Sequence, residues 1–443
     1  MIGGEKLALA QFKEKIGKRR ARIGVIGLGY VGLPLAIAFA KKGFSVTGID
    51  TDRGKVEGLN RGRSHILDVP SPELRAVLRR GFFKASSDYS LLGGLDAVIV
   101  CVPTPLDRMK KPDMSFILDA TASIARHLRR GQLIVLESTT YPGTTDEEVL
   151  TVLEKRTGLK AEKDFFLAFS PERVDPGNKR HGTVSIPKVV GGVGKLSTRA
   201  ARALYGAIVT RIVEVSSARA AEMTKLLENT FRSVNIALVN EMARICHRLR
   251  IDIWEVIEAA KTKPFGFMPF YPGPGTGGHC IPVDPIYLSW KSRRHKLTPP
   301  MIELAAKINK TVMPQYVCQR IASLLRRRRT GLKKTPVLVL GAAYKKDVDD
   351  ARESSAVDVM RCLLAEKADV TYSDPFIPSL RVERSVLRSR RLTPDVIRRQ
   401  QCVVVLTDHS AVDYGMVVKH ARLILDTRNV LRKYSPSKNL FFL

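Results

Sequence analysis

The chain of 443 residues carries 74 Lys and Arg against 43 Asp and Glu, a formal net charge of +31, and 44% of it is apolar. Such a length exceeds one hydrophobic core and predicts two or three domains. No apolar run is long enough to span a bilayer, so membrane insertion is not expected; the six cysteines (101, 246, 280, 318, 362, 402) stand singly with no CxxC pair, which argues against zinc and a disulfide framework and fits a cytoplasmic, reducing setting.

The positive excess suits nucleic acid or an anionic surface, or no more than basic surfaces and anionic small ligands. It is spread along the chain, densest at "RRRRTGLKK" (326–334) and "KSRRHK" (291–296). No zinc finger or RNA-binding aromatic motif accompanies it, so no specific nucleic-acid partner is expected.

Residues 1–20 read as a short amphipathic helical tail, partly mobile, without the features of a signal peptide. "RIGVIGLGYVGLPLAIAFAKKGFSVTGIDTD" (22–52) then reads strand, glycine turn, helix, strand. Gly27 permits the tight turn, Gly29 lets the backbone approach a pyrophosphate, and Gly32 lets helix pack on strand. The helix N-terminus faces the phosphates. Asp50 ends the second strand 18 residues after Gly32, where an acid hydrogen-bonds the ribose hydroxyls of NAD and repels the extra phosphate of NADP.

Three further strands run into loops: "LDAVIVCVPTP" (95–105), "GQLIVLESTTYPGTTDEEVL" (131–150) and "FLAFSPERVDPGN" (166–178). Ligands of open α/β sheets sit beyond the strand C-termini, which makes Ser138, Thr139, Glu172 and Asp175 candidates for the site. Ordinary turn chemistry is the alternative. Residues 217–261 form a long helical pattern, and a second helical stretch follows with a kink expected at Pro314. Between them lies "PGPGTGGHC" (272–280), which ends in Cys280. From residue 336 the α/β signal returns, with only part of a dinucleotide fingerprint, so this half is expected to bind another nucleotide. The expected division is 1–20, 21–215, 216–330 and 331–443. The fold class is α/β: two Rossmann-like domains with parallel sheets, joined by a long helical spine.

A hydride acceptor beside a loop-borne thiol permits a specific chemistry. A thiolate adds to an aldehyde, the thiohemiacetal loses a hydride, and water cleaves the resulting thioester to an acid. Lys225 and Asn229, four residues apart on a helix, can donate to an oxyanion, or simply make a surface contact. Asp284 can hold a water or orient the lysine, or mark a turn. His279 is a poor partner for Cys280, because neighbours in extended chain point apart. Lys346, Arg352 and Arg428 stand at strand ends of the last segment, as ligand contacts or as solvated charges. The glycines and prolines before Cys280 are expected to form a wall poor in side chains, against which a ligand lies.

Seven ordered stretches resemble the UDP-glucose/GDP-mannose dehydrogenase family: "GLGYVGLPLA", "CVPTPLD…KPDMSFI", "ESTTYPGTT", "FSPERVDPGN", "EMTKLLENTFRSVNIALVNE", "PGPGTGGHCIPVDP" and "AYKKDVDDARESS". Several are most similar to the branch that oxidises UDP-N-acetylglucosamine. The resemblance implies oxidation of a sugar C6 alcohol to a carboxylate with two NAD, in a homodimer or higher oligomer. It implies Cys280 as nucleophile, Lys225 and Asn229 as the oxyanion and proton-handling pair, and Asp284 as the water-organising acid. Glu172 matches a glutamate of thioester turnover, and Thr139 a water-binding threonine. Gly27, Gly29, Gly32 and Asp50 match the cofactor loop, with Lys55 near the ribose. Lys346, Arg352 and Arg428 fall in stretches lining the UDP-sugar half. The charge is no family requirement, and "KTKPFGFMPFYPGPG" departs from the UDP-glucose branch.

Overall fold

The computed structural model describes residues 4–66, 68–107, 109–174, 182 and 184–443; Asp175 lies outside them. The chain divides into two compact units, Met1–Glu228 and Asn229–Leu443.

The first unit is built on an eight-stranded sheet. Its strands are β1 (Arg22–Ile26), β2 (Ser45–Ile49), β3 (Phe83–Ser86), β4 (Ala97–Val100), β5 (Leu133–Leu136), β6 (Phe166–Phe169), β7 (Lys188–Gly192) and β8 (Ile212–Glu214). They lie in the order β3-β2-β1-β4-β5-β6-β7-β8. The central strands are apolar along their whole length because both faces are covered, as parallel sheets require. One junction departs from the expected parallel sheet. β7 runs antiparallel to β6, with Phe169 opposite Gly191.

The N-terminal helix, Gly4–Gly17, is docked rather than loose. Leu9, Phe12 and Ile16 recur at helical spacing, are buried, and join the core of this unit. Lys15 and Arg129 each reach the buried Asp96 at 2.8 Å, and the Arg22 N–H adds a third contact at 2.9 Å.

The second unit carries a five-stranded sheet and a hairpin. Its strands are β9 (Pro336–Leu340), β10 (Asp369–Ser373), β11 (Ser379–Val382), β12 (Ser385–Arg388), β13 (Cys402–Val405), β14 (Ile424–Asp426) and β15 (Leu440–Phe442). The sheet order is β10-β9-β13-β14-β15, parallel throughout, and β11 pairs with β12 as the hairpin. Helices lie between the two sheets in sequence, chief among them Ala218–Leu249. Near Pro314 the chain widens into a π-helical turn, Ile308–Val312, before the helix Met313–Arg326. Proline has no N–H for the carbonyl four residues back, and a wider turn relieves the crowding of its ring. Among the described residues no helix is long and apolar enough to cross a membrane.

Candidate active site

In the first unit the loop after β1 uses its glycines differently. Gly27 holds φ +89°, and a Cβ there would lie 2.5 Å from the Cys101 carbonyl oxygen. A Cβ on Gly32 would stand 1.8 Å from the Gly27 oxygen, so helix Gly32–Lys41 can close on β1 only without a side chain. A Cβ on Gly29 would meet no protein atom within 4 Å. Packing therefore explains two of these glycines, while the Cβ side of the third is open. Asp50 is held at the mouth of this loop, accepting the Leu28 and Asp52 N–H groups, each at 2.9 Å. These residues fit NAD: an open backbone cradle at a helix N-terminus, with an oriented carboxylate beside it. Lys55 is exposed, with its ammonium 3.8 Å from Asp52.

The loop after β5 contains Ser138 and Thr139. Ser138 is structural, because its hydroxyl donates to the Val102 carbonyl at 2.8 Å and so ties two strand-end loops together. Thr139 is half-buried beside it. The following turn passes through Gly143, at φ +101°, and is held by Glu222. That carboxylate accepts the Gly143 N–H at 2.7 Å and the Thr145 N–H and hydroxyl at 2.8 and 2.7 Å. Burial pushes Glu222 up to about 7 in spite of these donors.

Glu172 lies at the end of β6 in an arrangement that no sequence motif announced. Its Oε1 accepts the N–H groups of Arg173 and Val174 at 2.9 and 2.7 Å, and its Oε2 meets the Lys188 ammonium at 3.3 Å. Lys188 also lies 3.0 Å from Glu137, which follows β5, and the Tyr205 hydroxyl donates to Glu137. Burial would raise Glu172, but the Lys188 charge, the Val174 N–H and the Lys225 charge hold it below the usual carboxylate range. Burial pushes Glu137 upward. Burial works against the Lys188 charge, yet the two carboxylates keep its pKa above that of an ordinary lysine.

Helix Ala218–Leu249 carries Lys225 and Asn229. Both are buried, so they are not the surface contact that spacing alone allows. In the second unit the Asn229 amide donates to Asp284 at 2.5 Å, and Asp284 is buried too. Asp284 opens helix Asp284–Arg294, and its N–H donates to the Cys280 carbonyl at 2.8 Å. Cys280 is thus anchored by its backbone at a helix N-terminus, with partial exposure. His279 Nδ1 lies 3.9 Å from Asp350.

The glycines before Cys280 pack closely against protein on their Cβ side. A Cβ on Gly273 would lie 2.7 Å from Arg428, and one on Gly275 would lie 2.2 Å from the Asn309 carbonyl oxygen. On Gly277 and Gly278 it would lie 2.8 and 2.9 Å from Tyr344. These glycines let the protein close on itself, which fixes the backbone before the thiol. The Thr276 hydroxyl within the loop is buried and has no hydrogen-bond partner among the described residues.

The three basic candidates of this unit differ. Arg428 is tied down, donating from Nε to the Leu406 carbonyl at 2.7 Å while its guanidinium lies against Gly273. Arg352 is paired with Asp350 at 2.7 Å, and Lys346 is exposed, 3.9 Å from Asp408. The acid at the end of β10, Asp374, is committed internally. It accepts the Ala342 and Ala343 N–H groups at 2.6 and 2.9 Å, and lies 3.0 Å from the buried His409.

Sequence reasoning missed Glu137, Lys188 and Glu222. The available signals were an acid directly after an apolar strand and a lysine at the head of another.

Profiles of the UDP-glucose/GDP-mannose dehydrogenase family match three stretches of the chain: the NAD binding domain at 21–209, the central domain at 219–311 and the UDP binding domain at 338–433. A UDP-N-acetyl-D-glucosamine 6-dehydrogenase of Pseudomonas aeruginosa is 39% identical over 80% of this chain and 83% of its own. A UDP-N-acetyl-D-mannosamine dehydrogenase of Methanococcus vannielii is 35% identical over 95% of this chain and 94% of its own. The solved structure of a UDP-D-ManNAc dehydrogenase from Pyrococcus horikoshii matches with a TM-score of 0.87 at 34% identity, covering 95% of this chain and 98% of that one.

Proposed function

Since the chain belongs to the UDP-glucose/GDP-mannose dehydrogenase family, NAD-dependent oxidoreductases that carry nucleotide sugars through a four-electron oxidation, we propose that its substrate is UDP-N-acetylglucosamine and its nucleophile Cys280. The C6 alcohol is first oxidised to an aldehyde. The Cys280 thiolate adds to that carbon, forming a C–S bond and a thiohemiacetal oxyanion. Loss of the C6 hydride turns it into a thioester, and water breaks the C–S bond to release the carboxylate and the thiol. NAD, when bound, accepts the hydride of each oxidation, so two NADH form per sugar.

The observation that carries this reading is the buried Asn229–Asp284 pair, whose acid opens the helix anchored on the Cys280 carbonyl. In this reading Asn229 and Lys225 donate to the oxyanion, and Lys225 takes the alcohol proton. Asp284 fixes the Asn229 amide and organises water. Glu172 and Thr139 set the water for thioester cleavage. Gly27, Gly29, Gly32, Asp50 and Lys55 serve NAD in segment 21–215. The thiol loop belongs to 216–330, and Lys346, Arg352 and Arg428 serve the UDP-sugar in 331–443. Residues 1–20 precede the cofactor segment.

The test is NADH counted per sugar, with the uronate identified as product. Two NADH are expected, and Cys280→Ser should abolish acid formation. One NADH per sugar, or unchanged uronate from the serine variant, points instead to a two-electron dehydrogenase with a structural cysteine. Two of the relatives above bear the N-acetylmannosamine name, which favours UDP-N-acetylmannosamine as the second reading. UDP-glucose and other UDP- or GDP-sugars complete the substrate panel.

We also propose a cytoplasmic homodimer. Met223, Leu227, Phe231, Leu238, Met242, Ile245 and Leu249 are exposed at steps of three, four or seven along helix Ala218–Leu249. A seam of this kind matches a second copy of the same helix. Light scattering should show a dimer that Leu238→Glu dissociates, and a wild-type monomer would end the proposal.

A further inference from the structure

In the first unit three strand ends bring two carboxylates to one ammonium. Glu137 follows β5, Glu172 follows β6 and Lys188 opens β7. The reversal of β7 is what makes this possible: continuing the Phe169–Gly191 register sets Glu172 across from Lys188. The Lys188 Nζ lies 3.0 Å from Glu137 Oε2 and 3.3 Å from Glu172 Oε2. The three side chains are only 6%, 0% and 13% exposed, Lys188 first. Lys188 also stands 5.2 Å from the ring centroid of Tyr205, whose hydroxyl donates to Glu137.

A buried ion triad is a poor source of stability, because desolvation offsets most of the Coulomb attraction. Its geometry suits another task. Glu172 is gripped at Oε1 by two backbone N–H groups and at Oε2 by Lys188, so its carboxylate has one orientation. We propose that Lys188 is a positioning residue for Glu172, holding that carboxylate ionised and oriented for thioester turnover, with Glu137 as the counter-ion that keeps Lys188 charged. The proposal rests on the role given to Glu172 above.

The other groups facing this cluster are accounted for. Cys101, beyond β4, is a neutral thiol, because burial raises it well above the usual range. Tyr205 is raised by burial as well. Lys225 adds a second positive charge toward Glu172. Arg173 is engaged by Glu228 at 2.6 Å and by the Pro187 carbonyl at 2.8 Å. Without Lys188, Glu172 would face Glu137 across a dry space, and two such carboxylates share a proton. With burial no longer opposed by the Lys188 charge, Glu172 would then lose part of its ionised fraction near neutrality.

The experiment compares Lys188→Met, Lys188→Arg, Glu172→Gln and the double variant Lys188→Met/Glu137→Gln in the full chain. Infrared titration of 13C-glutamate-labelled protein, with the Glu172 band assigned by Glu172→Gln, reads ionisation without turnover. Glu172 should stay ionised near neutral pH in the wild type and in Lys188→Arg. It should be protonated there in Lys188→Met; should that variant misfold, the double variant, which has no second buried carboxylate, should still titrate above the wild type because burial then acts without the Lys188 charge, though less far than Lys188→Met. Rapid quench should then show the Cys280 acyl-enzyme hydrolysing about 10²-fold more slowly in Lys188→Met, with recovery as pH rises and in Lys188→Arg. A folded Lys188→Met or double variant whose Glu172 titrates as in the wild type overturns the proposal, whatever its turnover. If Glu172 titrates as expected but Glu172→Gln hydrolyses the acyl-enzyme at the wild-type rate, the positioning stands and the role of Glu172 falls.

Discussion

In the loop after β1 a methyl group added to Gly29 would meet no protein atom within 4 Å. In the loop before Cys280, a methyl on Gly273, Gly275, Gly277 or Gly278 would meet one at 2.9 Å or closer. Both stretches look alike as sequence, yet they do opposite work. The first leaves a space open, which in the reading above NAD occupies. The second removes space, so that the chain closes on Arg428, Asn309 and Tyr344 and the thiol beyond it has a fixed origin. A glycine-rich loop is therefore not one kind of object, and the fate of an added Cβ separates the two kinds.

The sharpest way to break this comparison is Gly275→Ala. Its φ of +132° and the Asn309 oxygen at 2.2 Å leave nowhere for a side chain. The loss should be about 2–6 kcal/mol in denaturant unfolding, from backbone strain and overpacking together. A neutral result would mean that the loop is not welded.

A third glycine turn, at Gly143, is held by a side chain instead. Glu222, pushed up to about 7, holds a proton between pH 4.5 and 7 that the unfolded chain releases. Its contribution to stability is complete below about 4.5 and is lost as pH rises toward 7. Wild-type unfolding free energy should therefore fall across this window relative to Glu222→Gln, by about 3 kcal/mol at about 1.4 kcal/mol per pH unit. Parallel stability curves for the two proteins would remove Glu222 from this role.

Gly29→Ala should leave unfolding within about 0.5 kcal/mol, as an uncrowded substitution does. It should nevertheless weaken NAD binding about tenfold or more, since the methyl enters the ligand's space. Calorimetric titration with NAD reads this directly, and unchanged affinity would show that the open side of Gly29 faces no ligand. The smallest effect belongs to Lys55→Ala. That side chain is exposed and only loosely paired with Asp52, so stability should change by less than about 0.5 kcal/mol, and NAD affinity should fall, but by less than in Gly29→Ala.

The α/β class and both Rossmann-like sheets were legible because parallel strands buried on both faces read as unbroken apolar runs. The direction of β7 was not legible. "KVVGG" carries the same burial pattern whichever way it runs, and only pairing with β6 fixes it. Lys225 and Asn229 were visible as a helical pair, but spacing cannot tell a buried face from a wet one. Glu137 was in plain view after "LIVL", overshadowed by the hydroxyls that follow it. Lys188 and Glu222 had no motif, since their meaning lies in residues far away in sequence. The glycines before Cys280 were recognised as a loop, but the close packing that demands them was not legible, because a sequence does not show what stands opposite a missing Cβ.

Helix Ala218–Leu249 has a consequence for which errors the chain can survive. Glu222, Lys225 and Asn229 are buried along one side of it, while Leu227, Phe231 and Leu238 are exposed on another. One inserted or deleted residue turns everything downstream by about 100° about the axis. A single-codon insertion after Thr230 would therefore dephase the outer stripe from the inner one while leaving every side chain chemically intact. Substitutions along this rod are local matters; changes in its count are not.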